Sequence, residues 1–554
     1  MRKLNGHRID LAAIFALSFA LLITIVLYMD DPQVITSNGV FKAVTIKRWL
    51  ADPSNGVLDH SNYLYYPFMA VLCHALDLIG VLPGDPRHQL PIINAFFASL
   101  CLCIIYLFVR AITGSRAVAW AASIFHLAGA FFLNLSVSNE DIIPSYTLLL
   151  ASMALASVWF VEPTKRRVAI VAIVFTLSWL FEWRLMIPTL PALLLALAIG
   201  PGSGPIRLGR ILLFVGVMVG LAEIAMLLWG PQNNNAGRVI DLLWTGKGVG
   251  EGWAGFSEVK VTLLSVGISQ YLARGANIGA PSLVPLMWRE ILVVTLCVTA
   301  IALLSLAILW RDRRFLKVRI LAAVFGVTFA AGEAMNLYSQ PQDPQMQINV
   351  MVWLTIGWAL ILAEGARWRP LLVPSAGIAL AVALLFTNIH LMPTPGQDSA
   401  WRAALQRIEQ DTNLSRTVFL LFGFEQAVSE KFYQWDGDWD FFEKLGPAPA
   451  AKPKFKLLAV VSGAVHRPKS TGVELADELR GQIERTLDLG YEVVANSVWD
   501  VSAEVLADSM ATIADADKAK AIHRMLHETY VGILIFTDPV AGPYFRISRK
   551  PIAR

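Results

Sequence analysis

Two pairs of adjacent carboxylates are the residues of this sequence best suited to chemistry. Asp30 and Asp31 follow the first hydrophobic segment, and Glu140 and Asp141 follow a later one. A carboxylate held beside a hydroxyl can act as a general base and remove the proton as the oxygen forms a new bond. Simpler explanations stand beside this one, because charged residues often end helices at a membrane boundary and Asp favours helix starts. If both pairs lie on one face, we predict that these four residues form a catalytic site.

The composition predicts a membrane protein. Of the 554 residues, 56% are hydrophobic and 16% charged, whereas a soluble domain is about 45–50% apolar and about 25% charged. The mean hydropathy is +0.55. The apolar residues form blocks of about 17–25 residues, which is the length of a membrane-spanning helix. Backbone groups in lipid must be bonded internally, so the blocks are predicted to be helices.

The charged residues and the cysteines exclude other classes of protein. The net charge is +4, and the basic residues lie in short clusters between the apolar blocks. This arrangement is typical of membrane topology signals and gives no reason to expect nucleic-acid binding. All four cysteines lie in apolar stretches, so neither a disulfide framework nor a zinc site is predicted. We predict no metal ligands and no resident cofactor, and the sequence leaves open whether a divalent cation is required.

The basic clusters also predict the topology. Apolar blocks lie near residues 11–29, 63–82, 91–109, 117–137, 142–161, 168–181, 184–199, 211–229, 290–310, 320–335, 348–364 and 370–389. Basic clusters lie at residues 2–8, 110–116, 165–167, 207–210, 311–319 and 367–369. Loops rich in Lys and Arg face the cytoplasm. All six basic clusters can face the cytoplasm only if one apolar block between Asp31 and Arg110 does not cross the membrane. Block 63–82 contains Pro67, His74 and Asp77, which are costly in the bilayer centre, so we predict that it is interfacial or re-entrant.

This topology leaves about eleven transmembrane helices, with the N-terminus inside and the C-terminus outside. The first block, 11–29, is followed by no small-residue cleavage site, so we expect a retained helix and not a signal peptide. The longer polar segments, including both carboxylate pairs, then face outward. Transporters place polar groups at mid-depth and usually contain repeats, which this sequence does not clearly show.

Several outer residues could bind a substrate. Aromatic rings stack on sugars and polar side chains hydrogen-bond to them, which suggests His60, Tyr65, Tyr66, Glu333 and Tyr338 as sugar ligands. The alternatives are an ordinary aromatic belt at the interface and, for the last two, a solvated loop.

Cationic side chains in the same outer segments could hold a phosphate. Arg184 offers a planar fork for phosphate oxygens, or it forms a local ion pair with Glu182. Arg238 and Lys247 lie in a glycine-rich outer segment that lacks the spacing of a nucleotide-binding loop. Glycines permit a close backbone approach to a ligand, although a mobile linker has the same composition.

The C-terminal part of the sequence changes character. Strands are predicted at 417–423, 455–464, 492–495 and 532–537. A helix with leucine or isoleucine at every fourth position from Leu475 to Leu487 separates them and ends at Gly490. We therefore predict a mainly α, polytopic membrane domain at 1–390 and a small extracytoplasmic α/β domain at 391–554.

The order of these features resembles the GT-C superfamily of membrane glycosyltransferases, in particular its protein O-mannosyltransferases and the aminoarabinose transferase that modifies lipid A. Members of that family have an acidic residue after the first helix, as at Asp30 and Asp31. They also have non-crossing helices in the first outer loop with a His-Pro-Pro-like element, where this chain has Tyr65-Tyr66-Pro67, and a second acidic residue after the third crossing, as at Glu140 and Asp141.

The resemblance implies an inverting glycosyltransferase of the inner (plasma) membrane, with its C-terminal domain in the periplasm. Its partners would be a polyprenyl-phosphate-sugar donor, a lipid, glycan or protein acceptor, and membrane lipids. Asp30 or Asp31 would be the base, and Glu140 or Asp141 would position acceptor or sugar. Arg184, Arg238 or Lys247 would hold the phosphate. Alternatives are a lipid-linked glycan flippase, a ligase or polymerase of the O-antigen type, and a sensor with an external ligand-binding domain.

Overall fold

The computed structural model describes most of the hydrophobic part of the chain and much of the C-terminal part. The described residues are 2–28, 42–43, 45–47, 49–50, 64–82, 86–182, 186–229, 258–273, 284–338, 344–392, 407, 410–413, 416–421, 440–441, 456–461, 465, 470–496, 499–508, 513–538 and 542–551.

Helices make up almost all of the described structure up to residue 392. They are α1 Arg2–Tyr28, α2 Tyr65–Leu78, α3 Pro86–Thr113, α4 Arg116–Ala128, α5 Ala130–Ser136, α6 Ile142–Trp159, α7 Lys165–Phe181, α8 Met186–Ile199, α9 Gly204–Trp229, α10 Glu258–Ala273, α11 Val284–Arg311, α12 Leu316–Leu321, α13 Val327–Tyr338, α14 Ile348–Trp368 and α15 Leu372–His390. A π-helical turn, Ala322–Gly326, joins α12 to α13, and a short 3-10 helix, Pro344–Gln347, precedes α14. Every predicted apolar block contains helix, and α10 is an addition within a segment predicted as a loop.

Seven helical segments are long and apolar enough to cross a membrane, counting α12, the π-helical turn and α13 as one, or eight if α4 and α5, which meet at a bend of 75°, form one span. This count covers the described residues, so the number of about eleven crossings stays a prediction. The helix α2 has 14 residues and would be about 21 Å long, shorter than the hydrocarbon core of about 30 Å. Its length therefore agrees with the prediction that block 63–82 does not cross.

The packing of the helices separates the carboxylates from the basic loops. Phe15 and Phe19 of α1 contact Phe96 of α3 edge to face, and Asp10 near the start of α1 pairs with Arg116 beyond the end of α3. The two helices are therefore antiparallel, and α1 ends on the side where α3 begins. The helix α6 starts beside Asp141 and runs about 27 Å to the loop before the basic cluster at 165–167. The acidic and basic segments thus lie at opposite ends of the bundle.

The bend between α4 and α5 occurs at Gly129, whose ψ of 116° is not helical. A Cβ atom there would lie 3.3 Å from the ring of Tyr271, so the site has little room for a larger residue. Bending frees the carbonyl of Ala128 from the helical pattern. Asn388 of α15 donates to that oxygen over 2.5 Å and to the carbonyl of Leu272 at the end of α10 over 2.8 Å. One amide therefore joins three helices at the bend.

We predict that Asn388→Leu destabilises the bundle, because two buried carbonyls lose their donor and each unsatisfied group costs about 1–3 kcal/mol. The thermal unfolding of the detergent-solubilised protein, followed by size-exclusion, would measure this. The matched control is Thr387→Val: the Thr387 hydroxyl is exposed and bonds only within its own helix, to Ala383. Equal unfolding temperatures for the Asn388 variant and the control would contradict the assignment.

The C-terminal residues form a six-stranded mixed sheet. Its strands are β1 Thr417–Leu421, β2 Asp440–Phe441, β3 Lys456–Val460, β4 Glu492–Ala495, β5 Tyr530–Asp538 and β6 Gly542–Arg549. The order is β2-β3-β1-β4-β6-β5. The pairs β2–β3, β3–β1 and β1–β4 are parallel, and β6 is antiparallel to both β4 and β5.

The predicted strands are all present, and the predicted helix forms α16, Gly472–Asp488. It ends before Gly490, whose φ of +79° explains the glycine. The sequence analysis missed β2, β6 and two helices, α17 Ala503–Asp508 and α18 Ile513–Thr529. The strand β6 was not predicted because Pro543 and two arginines interrupt its alternation of apolar residues. The domain boundary near 391 and the periplasmic position of this sheet stay predictions.

Candidate active site

Glu140 and Asp141 are completely buried and share one lysine. The ammonium of Lys42 donates to Glu140 Oε2 over 2.8 Å and forms an ion pair with Asp141 Oδ1. The side chain of Lys42 is 6% exposed and those of the two acids are 1% exposed. Asp141 occupies the N-cap position of α6, but its side chain makes no capping hydrogen bond. Helix capping therefore does not account for Asp141, and its carboxylate faces Lys42 instead. We call Lys42, Glu140 and Asp141 the triad.

Neighbouring side chains fix the backbone that carries the two acids. The side-chain amide of Asn94 in α3 donates to the carbonyls of Ser138 and Glu140, over 2.7 Å in each case. The hydroxyl of Tyr65 donates to the carbonyl of Asn139 over 3.4 Å. Because α3 and α2 hold residues 138–140 through carbonyl oxygens, the segment is anchored without using the carboxylates. The acidic side chains are left to face Lys42.

The electrostatics of the triad favour a permanently charged lysine. Burial lowers the pKa of Lys42, but the carboxylates of Asp141 and Glu140 outweigh this and hold that pKa above its ordinary value. A lysine whose pKa is higher in the folded than in the unfolded state stabilises the fold, and this contribution is complete below the unfolded pKa of about 10.4. That stabilisation is lost only as the pH rises through the folded-state pKa. The ion pairs of Lys42 therefore contribute fully to the stability of the fold throughout the neutral pH range.

Polar atoms without a partner collect beside the triad. Among the described residues, Asn139 is fully buried and neither its side-chain oxygen nor its nitrogen has a hydrogen-bond partner. Glu140 Oε1 and Asn94 Oδ1 also lack one. Buried polar atoms in native proteins almost always have partners, supplied by protein, water or ligand. These atoms are therefore open to a partner that the described residues do not supply, such as water or a polar ligand.

The structure places Tyr65 and Tyr66 beneath this site. Both are fully buried, and the ring of Tyr65 packs edge to face on Tyr66 and on Phe181 of α7. Burial raises the pKa of Tyr65, and the charge of Asp141 raises it further, so its hydroxyl stays a donor. These contacts support the loop that carries the acids, and stacking of either ring on a sugar stays a prediction.

The other predicted ligands lie elsewhere or outside the described residues. The carboxylate of Glu333 is buried in α13, and Tyr338 at the end of that helix accepts a hydrogen bond from Lys260 Nζ at its carbonyl, over 2.8 Å. None of the described contacts joins these two residues to the triad. The remaining predicted site residues, Asp30, Asp31, His60, Arg184, Arg238 and Lys247, lie outside the described part of the chain.

Lys42, Asn94 and Asn139 are site residues that the sequence analysis missed. Lys42 did leave a signal, because it has helical spacing with Ile46 and Leu50 and so lies on the face that buries Ile46. A lysine on the buried face of a short amphipathic segment needs an acidic partner. Asn94 left only a weak signal, as a lone amide within an apolar helix.

Within the described ranges, no group of three or more His, Cys, Asp or Glu side chains is placed to share a metal ion. The triad offers two carboxylates, and its lysine occupies the space between them. The chemistry that this arrangement supports is the holding of a polar ligand and the handling of protons.

Solved structures of one transferase resemble this chain over nearly its whole length. The apo crystal structure of ArnT from Cupriavidus metallidurans matches with a TM-score of 0.54 at 12% identity, and the structure of the same protein bound to undecaprenyl phosphate matches with 0.51 at 11%. Each match covers 98% of both chains. ArnT is a lipid A aminoarabinose transferase and a GT-C glycosyltransferase. The predicted GT-C fold is therefore confirmed. No family model and no curated protein matches the sequence.

Proposed function

From the GT-C fold, we propose that this chain transfers a sugar from a polyprenyl-phosphate donor to an acceptor hydroxyl at the extracytoplasmic face of the inner membrane. The acceptor oxygen forms a bond to the anomeric carbon as the bond from that carbon to the phosphate oxygen breaks. The acceptor proton passes to a carboxylate, and the lipid phosphate leaves with the electron pair. Attack opposite the leaving phosphate inverts the anomeric centre.

The observation that carries the proposal is the buried triad, with its unsatisfied polar atoms, at the end of a helical bundle where α1 also ends. Asp30 and Asp31 follow α1 almost directly in the sequence. A membrane protein tolerates buried carboxylates at a cost, so their concentration at one end requires an explanation. A sugar offers several hydroxyls, which fit the unpaired amide of Asn139 and the free oxygen of Glu140.

The charges of the site suggest a role for each residue in the proposed transfer. Asp31 or Asp30 accepts the proton, because neither belongs to the triad, in which a lysine would compete for the carboxylate. Glu140 and Asp141 orient the sugar or acceptor through oxygens that Lys42 holds in place. The departing phosphate needs cationic support, which supplies much of the barrier lowering in such reactions. Arg184, Arg238 and Lys247, all in segments predicted to face outward, are the proposed source.

The donor class is proposed from two sources. ArnT, whose fold this chain shares, has been crystallised with undecaprenyl phosphate. This chain also has apolar helices beside the acidic end of the bundle, against which an isoprenoid tail can lie. We therefore propose a polyprenyl phosphate that carries one sugar, with a lipid, glycan or protein as acceptor.

The experiment is mass spectrometry of lipid A, of surface glycans and of envelope proteins from cells that lack this chain, from complemented cells and from cells complemented with the Glu140→Gln/Asp141→Asn variant. Loss of one sugar unit, restored by the native chain and not by the variant at equal expression, supports the proposal. Loss of a whole polymer would favour a ligase, a polymerase or a flippase. Normal lipid A, surface glycans and envelope-protein glycosylation in the deletion strain would refute it.

A further inference from the structure

The structure contains a cavity at the opposite end of the bundle from the triad. It has a volume of about 940 Å³ and lies between the α3–α4 turn, the end of α6, the start of α7, the α11–α12 turn and the end of α14. All these segments adjoin basic clusters, so the predicted topology puts the cavity on the cytoplasmic face. The length of α6, about 27 Å, separates it from Asp141. The proposed sugar transfer does not use it.

The lining of the cavity combines an apolar wall with charged side chains. On the apolar wall Leu309 and Leu321 are buried, Ile112 and Leu360 are half-buried, and Val158 is 46% exposed. Two tryptophans that neighbour lining residues in the sequence are exposed: Trp310 is 69% exposed and Trp368 is 81% exposed. Tryptophans are enriched at the level of lipid headgroups. With the predicted topology, this favours a position of the cavity at the boundary between the hydrocarbon and the cytoplasm.

Some of the basic side chains that line the cavity are not paired with a carboxylate, and the acidic side chains show which ones. Glu364 receives two hydrogen bonds from Arg311, over 2.8 and 3.1 Å, and one from Arg367 over 2.7 Å. Asp312 lies 3.6 Å from Arg311. Both carboxylates are thus already engaged by guanidinium groups.

Two lining cations remain, Arg167 and Lys317. Within the described residues, neither has a carboxylate within 4.0 Å, and Arg167 donates to the backbone carbonyl of Glu162 over 2.8 Å. Glu162 is the third acidic side chain of the lining. Further basic side chains flank the same turns: Lys165, Arg166, Arg313, Arg314, Arg319 and Arg369. The lining itself carries three acidic and three basic side chains, and the flanking residues add further positive charge around it.

The α3–α4 turn contributes a helix N-terminus to the same cavity. Ser115 caps α4 and accepts a hydrogen bond from the backbone amide of Val118. The partial positive charge at a helix start attracts anions. Gly114, beside it, has a φ of +71° and open space where a Cβ would stand, so the backbone borders the cavity directly.

We propose that this cavity binds an anionic phospholipid of the cytoplasmic leaflet, with its phosphate between Arg167 and Lys317 and part of an acyl chain along the apolar wall. A free phosphate ion would use the cations and leave the apolar wall in water. A neutral lipid would use the wall and leave the cations without an anion. Basic pockets between helices on the cytoplasmic side are suited to such headgroups. The inference is independent of the sugar transfer.

The test uses the full-length purified protein, stripped of native lipid in detergent, with binding measured by native mass spectrometry. The probes are phosphatidylglycerol, phosphatidylcholine and inorganic phosphate. We expect the anionic lipid to bind more tightly than the neutral one, and millimolar inorganic phosphate not to displace it. The Arg167→Ala/Lys317→Ala variant should bind phosphatidylglycerol about tenfold to thirtyfold more weakly, since each basic residue near a lipid surface contributes about 1 kcal/mol.

Two further variants separate this site from general surface charge. Arg8→Ala/Arg207→Ala removes two basic residues of the same predicted face that do not line the cavity, and binding should be unchanged. Ala363→Phe places a bulky ring in the lining without altering charge and should also weaken binding of the anionic lipid. Equal binding of both lipids, full competition by phosphate, or equal losses in the control pair would each overturn the proposal.

Discussion

The Asp30→Asn/Asp31→Asn variant is expected to lose sugar transfer by about 10²–10⁴-fold while keeping its fold, because amides cannot accept the proton of the acceptor hydroxyl. The measurement is the amount of the sugar-modified product per unit of expressed protein. The single variants would show which aspartate is the base, since only one of them should reproduce the full loss.

Controls for this variant come from the same outer segment. Asp52→Asn/Asp85→Asn removes two acidic residues from the first predicted outer loop without touching either pair, so transfer should continue at the native rate. Transfer by the Asp30/Asp31 double variant at that rate would exclude the proposed base. Crosslinking between cysteines placed at 31 and 141 would test the geometry separately, because both residues must border one pocket.

The Lys42→Met variant is expected to lose both stability and transfer. Removal of one partner from a buried charge cluster costs about 3–5 kcal/mol, because the carboxylates are left in a site that excludes water. The unfolding temperature in detergent would report the stability, and product formation the activity. The matched control is Lys47→Met, since Lys47 lies in the same segment with an exposed side chain.

A compensated variant separates the two effects of Lys42. In Lys42→Met/Glu140→Gln/Asp141→Asn the three charges disappear together, so most of the lost stability should return. Transfer should stay abolished, because the carboxylates that orient the substrate are missing. If transfer returned together with stability, Glu140 and Asp141 would be structural residues only. Native stability of Lys42→Met alone would show that the ion pairs contribute little.

The helices could be predicted from the sequence because helix formation in an apolar run depends on local composition, whereas their direction through the membrane stays a prediction. A run of apolar residues at Ile142–Trp159 must form its own backbone hydrogen bonds wherever it lies in lipid, and the structure has that helix with the same start. Pro67 and Asp77 also led to the prediction that block 63–82 does not cross, and the helix found there, α2, has only 14 residues. The helix α10 was not predicted, because its 16 residues include polar side chains and lie among glycine-rich segments.

The bend at Gly129 is a feature that local composition is not sufficient to predict. Residues 117–137 read as one apolar block, and the chain divides there into α4 and α5. Whether a glycine bends a helix depends on partners for the freed carbonyl. Here the partner is Asn388, 260 residues further along the chain.

The sequence by itself determined a helical membrane protein, and it predicted acidic pairs at one end and basic loops at the other, because hydropathy and charge act on each segment separately. Only the tertiary structure decided that Lys42 holds both Glu140 and Asp141 and that Asn94 and Tyr65 anchor their backbone. It also showed that the side chain of Asn139 has no hydrogen-bond partner among the described residues. Lys42 and Glu140 are 98 residues apart, and a buried ion pair forms only where packing removes water from both partners at once.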